Sequence, residues 1–365
     1  MRLRRLLPLL LVLSTLNAWA AEDEQPVTTY YHATVLMYHH ISTGTPPTTS
    51  TSPDDFIKHL DLLEKDGFQI WPLERVVQHL KRRRPLPNKV ASITFDDGYI
   101  SIYEEALPIL KERKLPFTIF VNANSIAAKH PLYMSWAQLK EVQEAGGVIA
   151  NHSLNHDYLI RKLDNENEVD WLARIRKDIN DNQQALIDNL GSAPKIFAYP
   201  YGEYNPELQK LIQQMGYVAF GQQSGAANPY TGLTALPRYA ANGSSAQVSS
   251  LYTKLYALPF PLVNETPASA VLDGTNLRPN LTLTLLPGDY QIKQFRCYGP
   301  DAQLLKVTAI KLADGNLEIT INSDKDLHVG RPRYNCTAPH ATENRYFWFT
   351  RQWLIPYADG SWYNF

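Results

Sequence analysis

Two aspartates stand side by side in ASITFDDGYI (Ala91 to Ile100), and two histidines stand four apart in NHSLNH (Asn151 to His156). Neighbouring residues of a strand point to opposite faces. Asp96 and Asp97 can therefore face one site only where the alternation breaks, and Gly98 supplies a turn. A spacing of four puts the imidazoles of His152 and His156 on one side of a helical turn or tight loop, which suits a metal pair. One aspartate from a neighbouring strand end completes two imidazoles and a carboxylate, leaving positions open for water and substrate. Such a metal lowers the pKa of its water towards about 7. The other aspartate is then free to accept a proton. The competing reading is structural: an Asp-Gly turn or helix cap before YISIYEEALPILKERK.

These residues need a scaffold. From Thr34 to Tyr239 short β-rich runs (TVLMYH, VASITFD, FTIFVN, GVIANH, KIFAYP, YVAFGQ, TALPRY) alternate with amphipathic stretches. The helix signals are explicit: Ser52 and Pro53 open SPDDFIKHLDLLEKDG and Gly67 closes it, Ser135 caps SWAQLKEVQEAGG, and Gly191 ends a long polar-faced stretch. Alternating β runs and helices predict a parallel sheet with helices outside. Seven runs fit a distorted (β/α)7 barrel, with an open doubly wound sheet as the alternative. In a barrel the reactive groups collect at the C-terminal strand ends. Those ends carry His39 and His40, Asp96 and Asp97, Asn122, His152, Pro200 and Tyr201, Gln222, and Arg238.

The expected division is a leader over 1–20, an extension over 21–33, the barrel over 34–245, a linker over 246–269 and a small all-β, sandwich-like domain over 270–365. The last region shows alternating strands, with Leu286-Pro-Gly-Asp289 and Ala313-Asp-Gly-Asn316 read as hairpin turns. Its many aromatics read as core. Arg2, Arg4 and Arg5, the apolar run Leu6 to Leu16 and the Ala18-Trp19-Ala20 exit read as a secretory signal peptide. That run is shorter than the roughly 20 residues a membrane span needs, so no transmembrane segment is expected and the protein is expected to be secreted or periplasmic. Cys297 and Cys336 are the two cysteines. In an oxidising compartment they pair as a disulfide, closing a loop of about 40 residues worth about 4 kcal/mol in the chain-entropy model. The formal charge is −1, moving to −4 once the three leader arginines are lost. With KRRRP (Lys81 to Pro85) as the only basic run, read as the solvated end of a helix, no nucleic-acid partner is expected.

TFDDG (Thr94 to Gly98), HSLNH (His152 to His156) and FAYPYG (Phe197 to Gly202) resemble, in order and spacing, the first three motifs of the polysaccharide deacetylases, carbohydrate esterase family 4. The resemblance runs from about Val35 to Arg238. VLMYHHIS (Val35 to Ser42) and the stretch from Tyr133 to His156 are similar to the circularly permuted poly-β-1,6-N-acetylglucosamine deacetylases. It implies Asp97, His152 and His156 as ligands of a divalent metal, with zinc the first candidate and cobalt, nickel and iron accepting the same donors. It implies Asp96 as the base and His39, with His40 competing, as the acid that protonates the leaving amine. Tyr201 would offer its backbone N–H to the oxyanion. The arginine that usually opens the third motif is replaced here by apolar residues, and Arg238 stands in as the partner that keeps Asp96 ionised. Pro200, Tyr201 and Trp136 are assigned to substrate, with Tyr133 and Met134 as further groove candidates.

The implied activity is removal of N-acetyl groups from an N-acetylhexosamine polysaccharide: poly-N-acetylglucosamine, chitin or peptidoglycan. The alternatives are an O-acetyl esterase on acetylated sugars and an inactive sugar-binding or scaffold protein, with the C-terminal domain contacting cell-envelope glycan. A glycosidase using Asp96 and Asp97 as its pair is not expected, because its carboxyls must stand about 5–9 Å apart across the bond and the histidines would have no role.

Overall fold

The computed structural model describes residues 31–230 and 232–364. The expected leader and most of the extension lie outside them.

Seven parallel strands form the main sheet: β1 (Thr34–Tyr38), β2 (Val90–Phe95), β3 (Phe117–Val121), β4 (Gly147–Asn151), β5 (Ile196–Ala198), β6 (Val218–Phe220) and β7 (Tyr239–Ala240). They run in spatial order β7-β1-β2-β3-β4-β5-β6, and the two-residue strand Gln69–Ile70 adds beside β2. A parallel bridge from Phe220 to Leu236 brings the far edge back towards β7. The result is a curled sheet, a distorted (β/α)7 barrel. β2 is buried at every position, as expected of a parallel strand covered on both faces. The seventh strand is shorter than TALPRY suggested. Pro237 has no N–H to give a ladder, and Arg238 turns its side chain inward instead.

Among the described residues there are eight α-helices: α1 (Pro53–Lys65), α2 (Leu73–Lys81), α3 (Leu107–Glu112), α4 (Ala123–Ala127), α5 (Trp136–Glu144), α6 (Glu168–Leu190), α7 (Pro206–Gln214) and α8 (Val248–Leu255). Their starts follow side-chain chemistry. Ser52 accepts from the Asp55 N–H at 3.0 Å, Ser135 and Gln138 form a reciprocal capping box, and Asn205 caps α7, each satisfying an N–H the helix leaves free. α1 buries Phe56, His59, Leu60 and Leu63, a stripe at helical spacing. Gly191 ends α6 at φ 82°, and the KRRRP run is the exposed end of α2.

The 246–269 stretch, expected as a linker, carries α8, β8 (Leu258–Pro259) and β9 (Leu262–Thr266). Beyond it come β10 (Leu281–Leu285), β11 (Arg296–Tyr298), β12 (Lys306–Lys311), β13 (Leu317–Asn322), β14 (Arg333–Pro339) and β15 (Tyr346–Gln352). They make two four-stranded sheets, β8-β15-β14-β11 and β9-β10-β13-β12. Leu281, Leu283, Ile319 and Ile321 of one sheet share a core with Tyr334, Cys336 and Phe347 of the other, so the sheets face each other. Asp314-Gly315 closes the β12–β13 hairpin as expected. Leu286 to Asp289 does not close a hairpin. It carries the chain from one sheet to the other, and Tyr290 and Phe295, buried in the shared core, draw it across. Cys297 and Cys336 sit directly opposite each other on β11 and β14 and are bonded.

Candidate active site

The register lines up the strand ends. Tyr38 pairs with Phe95, and Phe95 with Ile119. The ladder continues one step beyond: Asp96 N–H donates to the Tyr38 carbonyl at 2.9 Å and His152 N–H to the Val121 carbonyl at 3.1 Å. His39, Asp96, Asp97 and His152 therefore come to the same rim.

At that rim the backbone leaves its regular path. Asp97 has φ 72° and Gly98 φ 75°, and the Gly98 N–H donates to the Asp96 carbonyl at 3.0 Å. Asp97 itself makes the break that lets both carboxylates face the mouth. Ser153, His156 and Tyr201 also lie in the left-handed region, at 64°, 60° and 58°. Each such non-glycine residue costs about 1–3 kcal/mol and persists only where its surroundings hold it. Gly202 must be glycine: a Cβ there would lie 2.5 Å from Gln222 Cβ.

Asp97 Oδ1 stands 3.3 Å from His152 Nε2 and 3.1 Å from His156 Nε2. The three ligand atoms lie within 4.8 Å of one another. His152 and His156 sit on a loop rather than a helical turn, and Ser153 ties it: its N–H donates to Asn151 Oδ1 at 3.0 Å and its hydroxyl accepts from the His156 N–H at 3.1 Å. His152 Nδ1 lies 2.8 Å from the Ala198 carbonyl. The proton belongs on Nδ1, so the Nε2 lone pair points at Asp97. His152 Nε2 and Asp97 Oδ1 are buried atoms without a hydrogen-bond partner, which is costly unless something else binds them. Burial pushes the Asp97 carboxyl up, but the two imidazoles that face it outweigh burial and hold it well below the usual range. Two imidazoles, an ionised carboxylate and two orphaned buried atoms fit a divalent cation.

Asp96 differs from its neighbour in having a full set of partners. Arg238 donates to both its oxygens, each at 2.7 Å, and both side chains are fully buried. Arg238 is held in turn by the Gly221 carbonyl at 3.0 Å. Burial raises the Asp96 carboxyl, and the Arg238 charge, followed by His152, brings it below the ordinary value. His39 Nε2 lies 4.0 Å from Asp96 Oδ2, and His39 Nδ1 is buried without a partner. His40 stacks on Tyr99, ring centres 3.7 Å apart.

Tyr201 stacks on Tyr158 at 3.9 Å and meets His156 edge-on at 4.6 Å. Pro200 is buried beneath it. Trp136 is half-buried against the barrel core. Met134 is fully inside that core, 1% exposed, and so is not a groove residue. Tyr133 stacks on Tyr99.

Several site residues escaped the sequence reading. Tyr99 lies against Asp97; burial first, then the carboxylate, push its phenol up. Asp178 accepts from the Leu154 N–H at 2.9 Å and Asn155 Nδ2 at 3.1 Å, while Asn182 donates to the Val121 carbonyl and to Asn151 Oδ1. These two brace the histidine loop from α6. Their signal was present: Asp178, Asn182 and Gln183 interrupt the buried stripe formed by Trp171, Ile175, Ile179 and Leu186. Polar residues on a buried stripe have partners to hold. Arg331, whose Nη1 donates to the Tyr201 carbonyl at 2.8 Å, gave no local signal.

A curled (β/α)7 barrel with a two-histidine, one-carboxylate cluster at its mouth is the class that fold and geometry define. Residues 83–220 match the polysaccharide deacetylase family. Among sequence relatives, the Bacillus subtilis protein named "Putative polysaccharide deacetylase YxkH" is 32% identical over 187 residues, 50% of this chain and 63% of that one. A poly-beta-1,6-N-acetyl-D-glucosamine N-deacetylase of Staphylococcus aureus is 26% identical over 194 residues, 52% of this chain and 67% of that one. The chain thus spans about two thirds of the length of these relatives. Among solved structures, IcaB from Ammonifex degensii aligns with a TM-score of 0.55 and 26% identity over 63% of this chain and 99% of that one. The Streptococcus pyogenes deacetylase PplD, in complex with acetate, shares the fold, with a TM-score of 0.56 and 24% identity over 62% of this chain and 99% of that one.

Proposed function

We propose that this protein is a metal-dependent N-deacetylase of an N-acetylhexosamine polysaccharide, with poly-N-acetylglucosamine the first substrate to try. One observation carries the reading: the Asp97–His152–His156 cluster stands beside an aspartate kept ionised by Arg238 and a histidine 4.0 Å from that aspartate. Likeness to the Staphylococcus aureus poly-beta-1,6-N-acetyl-D-glucosamine N-deacetylase supports the substrate class.

A divalent cation on Asp97, His152 and His156 would polarise the acetyl carbonyl and acidify the attacking water. Asp96, ionised at neutral pH, takes the proton from that water. Its two hydrogen bonds to Arg238 fix its direction. The tetrahedral oxyanion accepts from the Tyr201 N–H. The amine leaves badly without a proton, and His39, 4.0 Å from Asp96, supplies it. Tyr201 and Pro200 shape the acetyl pocket, and Trp136 contributes a sugar-facing edge.

The barrel over 34–245 and the β region over 270–365 are proposed as two structural domains, the first carrying the metal cluster and Asp96. An exported location is favoured by the Cys297–Cys336 disulfide, since such bonds persist in oxidising compartments, and by the basic-apolar N-terminus. Among the described residues no helix is long and apolar enough to cross a membrane.

The test is acetate release from a panel of N-acetylated and O-acetylated glycans, with and without chelator, with zinc, cobalt, nickel or iron restored afterwards. Release from an N-acetylated polymer, lost with chelator and regained with metal, is expected. Release from esters alone would make the protein an O-acetyl esterase. No release from any substrate with any metal would favour a binding protein.

A further inference from the structure

The turn Pro200–Gly202 carries Tyr201 at φ 58°, ψ 2°, a conformation its own sequence does not favour. The restraints come from the far end of the chain. Arg331, just before β14, donates from Nη1 to the Tyr201 carbonyl at 2.8 Å. The Tyr363 hydroxyl donates to Glu203 Oε1 at 2.9 Å, and both residues are buried, at 4% and 0% exposure. Arg161, downstream of the histidine loop, lies 3.4 Å over the Tyr158 ring and about 5 Å from the rings of Trp362 and Tyr363. Tyr158 stacks in turn on Tyr201. Ala270 and Leu354 share a buried cluster with Phe197 and Tyr199, so the C-terminal region is packed against the barrel on this flank.

We propose that Arg331 and the Trp362–Tyr363 segment are positioning elements of the deacetylation site, fixing the Tyr201 turn so that its N–H faces the reacting acetyl group. A left-handed tyrosine has an extended alternative close in energy. A charged donor on its carbonyl, an anchored Glu203 and a stacked ring select one state. The C-terminal β region then belongs to the catalytic unit, a role a mere glycan-binding appendage would not have. The inference rests on the proposed reaction for its chemical meaning, but the restraint itself is measurable without turnover.

The test compares Arg331→Met, Arg331→Lys and Tyr363→Phe with the parent protein. Backbone amide exchange of residues 199–204 is followed by mass spectrometry. Arg331→Met is expected to speed exchange there at least about tenfold, with β2 and β3 unchanged, and Arg331→Lys to restore much of the protection. On the substrate identified above, kcat is expected to fall about 10–100-fold, with KM within about twofold and bound metal per chain unchanged, as for loss of an interaction felt in the transition state. Unchanged exchange at 199–204 overturns the proposal, as does unchanged kcat in an active parent. Exchange that rises throughout the barrel, or loss of metal, marks a merely structural role and overturns it too. If the parent releases no acetate from any substrate, the functional reading fails, and the exchange result alone decides whether Arg331 holds the turn.

Discussion

The barrel and the C-terminal sandwich are both built of short strands, yet they differ in what their strand ends bring together. In the sandwich β14 alternates buried and half-buried positions; a short loop through Asp314-Gly315 joins Lys311 to its partner Leu317 in the β12–β13 hairpin, and a disulfide pins β11 to β14. In the barrel β2 is buried throughout, and the residues just past the strand ends take strained left-handed backbone: Asp97, Ser153, His156 and Tyr201. Buried nitrogen and oxygen atoms there face one another without hydrogen-bond partners. Regular alternation and closed turns are what stability alone requires. Left-handed residues and an unpartnered buried atom occur in the sandwich too, at Asp301, Ala302 and Trp353, but those of the barrel rim converge on one imidazole–carboxylate cluster, and chemistry explains that convergence.

Substitutions can break this contrast from either side. The largest effect is expected from Asp97→Ala: bound metal, read by elemental analysis, should fall from about one per chain to near zero, and acetate release should vanish with it. Next comes Arg238→Met, which leaves Asp96 buried without its partner. Denaturant unfolding should show a loss of about 3–5 kcal/mol, with a further loss of activity in whatever remains folded. In the sandwich, replacing both Cys297 and Cys336 with serine should lower stability by about 2–4 kcal/mol, while kcat of the folded protein stays within about twofold. That asymmetry sharpens the comparison: the sandwich's bond serves stability, the barrel's cluster serves turnover. His39→Ala should reduce amide hydrolysis about 100-fold, or about 2.7 kcal/mol of barrier, and ester hydrolysis less, because an alkoxide leaves more readily. His40→Ala, which removes the ring stacked on Tyr99, should lower amide hydrolysis less than His39→Ala does, by less than about tenfold. If it exceeds His39→Ala, the two histidines have exchanged roles.

Most of the scaffold was legible in the chain because its signals are local. Ser52, Ser135 and Asn205 mark helix starts with their own side chains, and the apolar β runs announce a parallel sheet. TALPRY misled because a run of β-forming residues does not reveal which way Arg238 turns. Leu286 to Asp289 misled because turn chemistry fixes a bend, not which sheet receives the next strand. At the site, the motif residues announced themselves through type and spacing, but their supports did not. Tyr99 reads like any aromatic beside a strand, and Arg331 lies 130 residues from the carbonyl it holds. Such contacts are decided by packing between distant segments. Asp178 and Asn182 are the intermediate case: a polar break in a buried helical stripe says that something is held, without saying what.

The central claim is that adjacent carboxylates divide the work, Asp97 holding the metal and Asp96 taking the proton. It is tested most directly by comparing Asp96→Asn with Asp97→Asn for metal content and acetate release in one preparation each. The account predicts that Asp96→Asn keeps about one metal per chain while kcat falls about 1,000-fold or more, and that Asp97→Asn loses the metal. Equal metal loss in both proteins, or near-normal turnover in Asp96→Asn, would contradict it.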